Sequence, residues 1–192
     1  PRQVVYHLVH TLIQVKVLRR AQGTNLVLGL GVAPLVQGFH TQMSASGFLT
    51  RCAKAAANET GEAAYVSGWL DGEIVVLATA RGNAPIQAAE VPQGTTGFAH
   101  ARASGKLLLA MCSPAELDAY LDAHKLASRT PNTIVSRAAL LTELDEIRAR
   151  GVSYDREEFA LGLSCMAVPL GPAPSQLVLG VSAPTQRFRD SH

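Results

Sequence analysis

This chain of 192 residues is short of aromatic side chains, cysteine, long apolar runs and, over its first 58 residues, acid. Aromatics make up 5% of it, too few to build a stacking platform for single-stranded nucleic acid. Its three cysteines, Cys52, Cys112 and Cys165, are widely scattered and show no CxxC spacing. That excludes a disulfide framework and a zinc site and points to a reducing cytoplasm. No run approaches 18 apolar residues, and the N-terminus lacks the plan of a secretory signal, so no membrane partner is expected. Residues 1–58 hold no Asp or Glu but six basic residues, while the remainder holds eleven basic against fifteen acidic. A basic end on an acidic body suggests a polyanion-facing module attached to a ligand-binding one. What the chain does have is 47% hydrophobic residues, enough for one good-sized core or a domain with a small appendage.

Between Val4 and Leu18 apolar residues recur at Val5, Leu8, Leu12 and Val15, the period of an amphipathic helix whose other side shows Arg2, Gln3, Tyr6, His7 and His10. Val17–Arg20 and Leu26–Leu28, around a turn containing Gly23, read as the two short strands of a wing. A helix-turn-helix needs two helices, and this chain starts at the second. Either the upstream helices lie outside it, which is the expectation, or this is not a DNA-binding unit. Gly29 to Met43 reads as a connector, helical after Pro34, followed by a helix near Ser46–Asn58 that stops before Gly61. Asp71-Gly72 joins Ala63–Leu70 to Glu73–Ala80 as a hairpin, and Ile86–Val91 reads as a further strand. Ser113-Pro114-Ala115-Glu116 is a capping box that starts a helix running to about Ala123. Residues 124–135 form a polar loop. Arg137–Arg150 is a helix closed by basic residues and Gly151. Val152–Asp155, Ser164–Leu170 and Gln176–Ala183 are strands. Helices and strands interleave without a βαβ rhythm, which predicts an α+β fold of PAS/GAF-like character, an antiparallel sheet covered by helices.

Two segments carry the functional signal. GTTGFAHARASGKLLLAM (94–111) places very small residues, Ala101, Ala103, Ser104 and Gly105, at the start of a helix expected over 101–111. Uncovered N–H groups and the positive end of the helix dipole there suit a carboxylate. YDREEFALGLSCMAVPL (154–170) adds Asp155, Ser164 and Cys165 among apolar neighbours, as in a pocket with a few placed polar groups. His100 reads as a helix N-cap, Lys106 as a solvated side chain, and Glu157 and Glu158 as turn residues. The Gly-Lys pair is no Walker loop, because Lys106 is followed by Leu107. His7 and His10 lack a third metal ligand. Neither a metal nor a cofactor is expected.

These motifs, in order, resemble the IclR-type bacterial transcription regulators. The carrying residues are Ser104-Gly105-Lys106, an Arg-x-x-Gly helix end, the D-x-E-E-x-x-x-G-x-x-C stretch from Asp155 to Cys165, and a closing S-x-P at Ser182–Pro184. Residues 63–184 are similar to that family's effector-binding domain, and residues 1–30 to the second half of its winged helix-turn-helix. The resemblance implies a partial winged helix-turn-helix (1–30), a linker helix (31–43) and an effector-binding domain (44–192). It implies a homodimer or homotetramer reading a double-stranded DNA operator under control of a small, organic-acid-like effector. The effector cage it implies comprises Ile86, Ala103, Ser104, Asp155, Leu163, Cys165 and Ser182. The DNA-contacting set is Arg2, Gln3, Tyr6, His7, Lys16, Arg19 and Arg20. Gln3, Val4 and His7 stand where the family has hydroxyl and Arg residues for phosphates. The competing expectation is a GAF-like thiol-dependent enzyme with Cys165 as nucleophile, which needs a base and a depressed thiol pKa.

Overall fold

The computed structural model describes residues 2–23, 25–43, 47–86, 88 and 91–190. Contacts divide the chain into two units, Pro1–Ala45 and Ser46–His192. In the first, helix α1 (Arg2–Gln14) leads through a turn at Lys16 into an antiparallel hairpin of β1 (Leu18–Arg20) and β2 (Leu26–Leu28), and then into α2 (Val32–Met43). Helix α2 starts two residues before Pro34, because a first-turn proline gives up only an N–H that has no helical partner. The apolar stripe of α1 is not covered: Val5 is 60% exposed and Leu8 59%.

The second unit is built on a five-stranded antiparallel sheet of β3 (Ala63–Leu70), β4 (Glu73–Ala80), β5 (Ser153–Arg156), β6 (Leu163–Pro169) and β7 (Leu177–Pro184), in the order β4-β3-β7-β6-β5. Alternation along the strands separates two apolar layers. On one face α3 (Gly47–Thr60) buries Ala53 and Ala57 against Ala64, Val66 and Ala78. On the other, α4 (Ala103–Met111), α5 (Pro114–Ala123) and α6 (Arg137–Arg150) enclose a larger core of Leu107, Leu108, Leu109, Leu140, Leu144 and Ile147 with Ile74, Ala167 and Val178. A short helix, α7 (Thr185–Asp190), follows β7.

Local signals held where they were strongest. Ser113 and Glu116 form the capping box of α5, and Gly151 closes α6 with a positive φ of 73°. Three expectations are corrected. Helix α4 begins at Ala103, preceded by a 3-10 turn over Ala99–Ala101 that carries His100, so Arg102 rather than His100 occupies the N-cap. Residues Ile86, Ala88 and Val91 are not in a strand; the rest of the Ile86–Val91 segment lies outside the described residues. Pro85 and Pro92 bracket that segment and remove donors a ladder needs, and it is Gly94 and Thr95 that bond to Val76 on the sheet edge. Lys106 is not solvated but 1% exposed.

Candidate functional site

The line of residues that matters runs across three strands. Register places Asp155 of β5 opposite Cys165 of β6, and Cys165 opposite Ser182 of β7. All three face the α4 layer and are buried. One strand further on, Tyr65 of β3 pairs with Gly180 and its ring lies across that glycine: a Cβ there would stand 2.5 Å from Tyr65 Cζ. Helix α4 packs over β5, β6, β7 and β3, bringing the fully buried Ala103 and Ser104 onto the same cluster. Small residues at 103–105 are what permit that approach.

The polar atoms of this cluster are incompletely matched. Cys165 Sγ and Ser182 Oγ are 3.0 Å apart. Asp155 Oδ1 accepts from the backbone N–H groups of Glu158 (2.7 Å) and Phe159 (3.2 Å), while Oδ2 has no partner among the described residues. Ser104 Oγ likewise lacks a partner of good geometry, although the Tyr65 hydroxyl stands beside it. At the N-cap of α4, Arg102 Nη2 donates to the Ile74 carbonyl at 3.0 Å, while Nε and Nη1 are unpartnered. Buried donors and acceptors are nearly always satisfied; besides these, the hydroxyls of Ser67, Tyr120 and Ser153 are buried without a partner among the described residues. Burial, opposed by the two N–H bonds, pushes the Asp155 carboxyl up to about 6. Burial also pushes the Tyr65 hydroxyl up and the Arg102 guanidinium down.

The turn after Asp155 is held from outside. The Thr130 hydroxyl donates to the Glu157 carbonyl at 2.7 Å, and that of Thr133 to the Glu158 carbonyl at 2.6 Å. The Arg129 guanidinium lies over the rings of Phe98 and Phe159, at 4.7 and 4.2 Å from their centroids. Glu157 caps the turn by accepting from Gly162 N–H. Glu158 instead meets Lys106, whose Nζ is 2.6 Å from both carboxylate oxygens. Residues 124–135 are thus a polar loop as expected, but one that straps this corner.

Of the expected cage, the structure brings together Ala103, Ser104, Asp155, Cys165 and Ser182. Leu163 is half-buried and packs against the α4 core. Ile86 stands apart at 71% exposed, its carbonyl accepting from Arg187. Tyr65 and Arg102 belong to the cluster and sequence reasoning missed both. The signal for Arg102 was available: it is the long charged side chain inside an otherwise small-residue run. Of the expected DNA contacts, Arg2, Gln3, Tyr6 and His7 are exposed on α1, Lys16 is exposed in the turn at φ 60°, and Arg19 and Arg20 are exposed on β1. Among the described residues no group of His, Cys, Asp or Glu gathers as a metal site, and no helix is long and apolar enough to cross a membrane.

Thiol catalysis finds no support in this geometry. Burial, followed by the Asp155 charge, pushes the Cys165 thiol well up, away from the thiolate that a nucleophile requires. His100 Nε2 is engaged with the Ala127 carbonyl at 3.0 Å. Cys165→Ser should therefore fold, with a change in ligand affinity on the order of 1 kcal/mol. Iodoacetamide should label Cys165 in the native chain far more slowly than free cysteine. Labelling faster than free cysteine would restore the enzyme reading.

Comparison with known proteins agrees with this architecture. The family model described as bacterial transcriptional regulator IclR C-terminal matches residues 37–192. The HTH-type transcriptional regulator BhcR of Paracoccus denitrificans is 36% identical over 134 residues, 69% of this chain and 48% of that protein. The crystal structure of an IclR transcriptional regulator from a Silicibacter species superposes with a TM-score of 0.75 at 26% identity, covering 98% of this chain and 75% of that one. The C-terminal domain of the regulator KdgR from Escherichia coli gives a TM-score of 0.61 at 27% identity over 74% of this chain and 88% of that domain. The chain spans half or less of the length of the curated relatives it matches.

Proposed function

Because this chain belongs to the IclR family, one of transcriptional regulators and not of enzymes, we propose that it is the ligand-sensing body and part of the reading head of a cytoplasmic, operator-binding regulator. Residues 1–30 form the second half of a winged helix-turn-helix, 31–43 a linker helix, and 44–192 the effector-binding domain. The uncovered stripe of α1 is the face on which the rest of the reading head packs. Residues 2–7 enter a major groove of double-stranded DNA, and Lys16, Arg19 and Arg20 meet phosphates. The protein works as a homodimer or homotetramer, because paired heads on a palindromic operator give the contact area that one wing lacks. A small anionic metabolite binds among Ala103, Ser104, Asp155, Leu163, Cys165 and Ser182 and shifts the arrangement of the subunits.

The observation that carries this reading is the gathering of orphaned polar atoms, Ser104 Oγ, Asp155 Oδ2 and two nitrogens of Arg102, around one buried spot between α4 and the sheet. The test is fluorescence anisotropy of labelled operator DNA with the complete protein. Affinity should fall steeply as salt rises, and Arg19→Ala should flatten the log–log salt slope by roughly one unit. Gln3→Ala should instead relax sequence preference. Ala103→Leu, which fills the chamber, should leave DNA binding intact and abolish its response to small organic acids. Binding indifferent to salt contradicts the DNA half of the reading, and an Ala103→Leu protein that responds normally contradicts the chamber.

A further inference from the structure

Two long cationic side chains leave the first turn of α4 for the interior, and the fold treats them differently. Lys106, 1% exposed, is closed on by both oxygens of Glu158 at 2.6 Å, with Glu143 at 3.6 Å. Arg102, 5% exposed, has no carboxylate within ion-pair distance among the described residues and makes a single hydrogen bond to a backbone carbonyl. A buried guanidinium left in that state is disfavoured, since its lost hydration is offset by no direct ion pair and only at a distance by the Glu73 charge. A cation that served only the fold would be paired as Lys106 is.

The surroundings give the direction. The Arg102 charge is felt by Tyr65, Tyr120, Glu73 and Cys165. Tyr120 borders a cavity of about 280 Å³ lined also by Trp69, Glu116 and His124. Glu116 lines this cavity, and Glu73 holds His124 at its edge at 2.8 Å, so an anion is repelled there. Of the groups that feel the Arg102 charge, the Tyr65 hydroxyl and the Cys165 thiol are held uncharged by burial, with Ser104 against Tyr65. In the same cluster Asp155, the register partner of Cys165, keeps Oδ2 without a partner, and no ion pair joins it to Arg102 among the described residues. The buried cluster thus holds a cation, a carboxylate acceptor, and neutral hydroxyl and thiol groups.

We propose that Arg102 is a specificity-determining residue: its guanidinium receives the carboxylate of the effector while Asp155 accepts a hydrogen from the ligand's other end, which makes the effector a small hydroxy- or amino-carboxylic acid. This rests on the chamber being the effector site. Arg102 reads charge, and Asp155 reads a donor. A neutral analogue loses the first contact and a simple aliphatic acid the second.

The test is calorimetric titration and thermal melting of this chain with C2–C4 hydroxy- and amino-acids, glycolate, lactate and alanine among them. The neutral amide of each and acetate are controls at matched ionic strength. At least one acid should bind about tenfold or more tightly than its amide, as expected for a charge-assisted hydrogen bond. Arg102→Met should bring that ratio close to one, and Arg102→Lys should keep part of it. Without added acid, Arg102→Met should melt higher than the wild type, because an unpaired buried charge has been removed; a purely structural arginine would give a lower melting temperature. The proposal is overturned if no acid is preferred over its amide, or if Arg102→Met keeps the preference. Ala103→Leu separates the two readings. Loss of binding in Ala103→Leu with the preference retained in Arg102→Met leaves the chamber standing and removes Arg102. Loss of preference in Arg102→Met with normal binding in Ala103→Leu keeps the Arg102 contact and overturns the chamber as its place.

Discussion

Gly105→Ala should unfold the C-terminal unit at a much lower urea concentration than wild type, a loss of about 3 kcal/mol or more. A Cβ at this position would stand 2.3 Å from the Ala99 carbonyl oxygen, 2.4 Å from Ala99 Cα and 2.7 Å from its carbonyl carbon. None of these atoms is the end of a flexible side chain. The 3-10 turn that carries them is fixed by backbone bonds from Ala101 to Phe98 and from Arg102 to Ala99, and it is buried throughout. A methyl group there must push the turn and α4 apart, and that movement opens the core at Leu108 and Leu109. Such a loss is a large share of the roughly 5–15 kcal/mol that holds a domain together. Gly97→Ala is the control. Its φ of 76° makes alanine strained, yet nothing lies within 4 Å of the added carbon, so it should cost about 1 kcal/mol. Urea midpoints followed by Trp69 fluorescence decide the matter, and a Gly105→Ala midpoint equal to that of Gly97→Ala would refute the packing described.

Lys106→Ala should be comparably damaging for an electrostatic reason. The ammonium is the counter-charge that allows Glu158, itself 6% exposed, to lie inside the protein. Removing one partner of a buried pair leaves the other charge uncompensated, at about 3–5 kcal/mol. Lys106→Met restores most of the lost packing but not the charge, so it should recover only a minor part. Lys106→Met combined with Glu158→Gln should recover much more, because no bare carboxylate remains. The coupling energy from this double-mutant cycle is the measurement. A value near zero would mean that the pair contributes nothing as a pair.

The contrast between what sequence disclosed and what it did not follows from the range of the forces involved. The Asp71-Gly72 hairpin, the Ser113–Glu116 capping box and the Gly151 helix end each depend on residues within a few positions of one another. Asp155 and Cys165 were placed by their motif, and the register of β5, β6 and β7 then explains why Ser182 joins them. Tyr65 could not be read this way. It reaches the site because β3 pairs with β7, more than a hundred residues later, and because Gly180 leaves room for its ring. Lys106 looked like an ordinary surface lysine since its partner is 52 positions away. Ile86, Ala88 and Val91 suggested a strand by composition alone, and the prolines at both ends carried more weight at these three residues.

Strand β3 sits between β4, which follows it at once, and β7, the last strand of the chain. During synthesis the β3–β4 hairpin can form early, but the position beside β3 stays open until residues 177–184 have left the ribosome. For that whole interval the nascent protein exposes an unpaired strand edge next to apolar residues, a state prone to association with other chains. Closure of the sheet at β3 therefore waits on β7, and the cluster of Tyr65, Cys165 and Ser182 forms only once that strand is in place. Ser182 arrives on that same strand, so a chain interrupted before it carries neither a finished sheet nor the partner that Cys165 meets across the register.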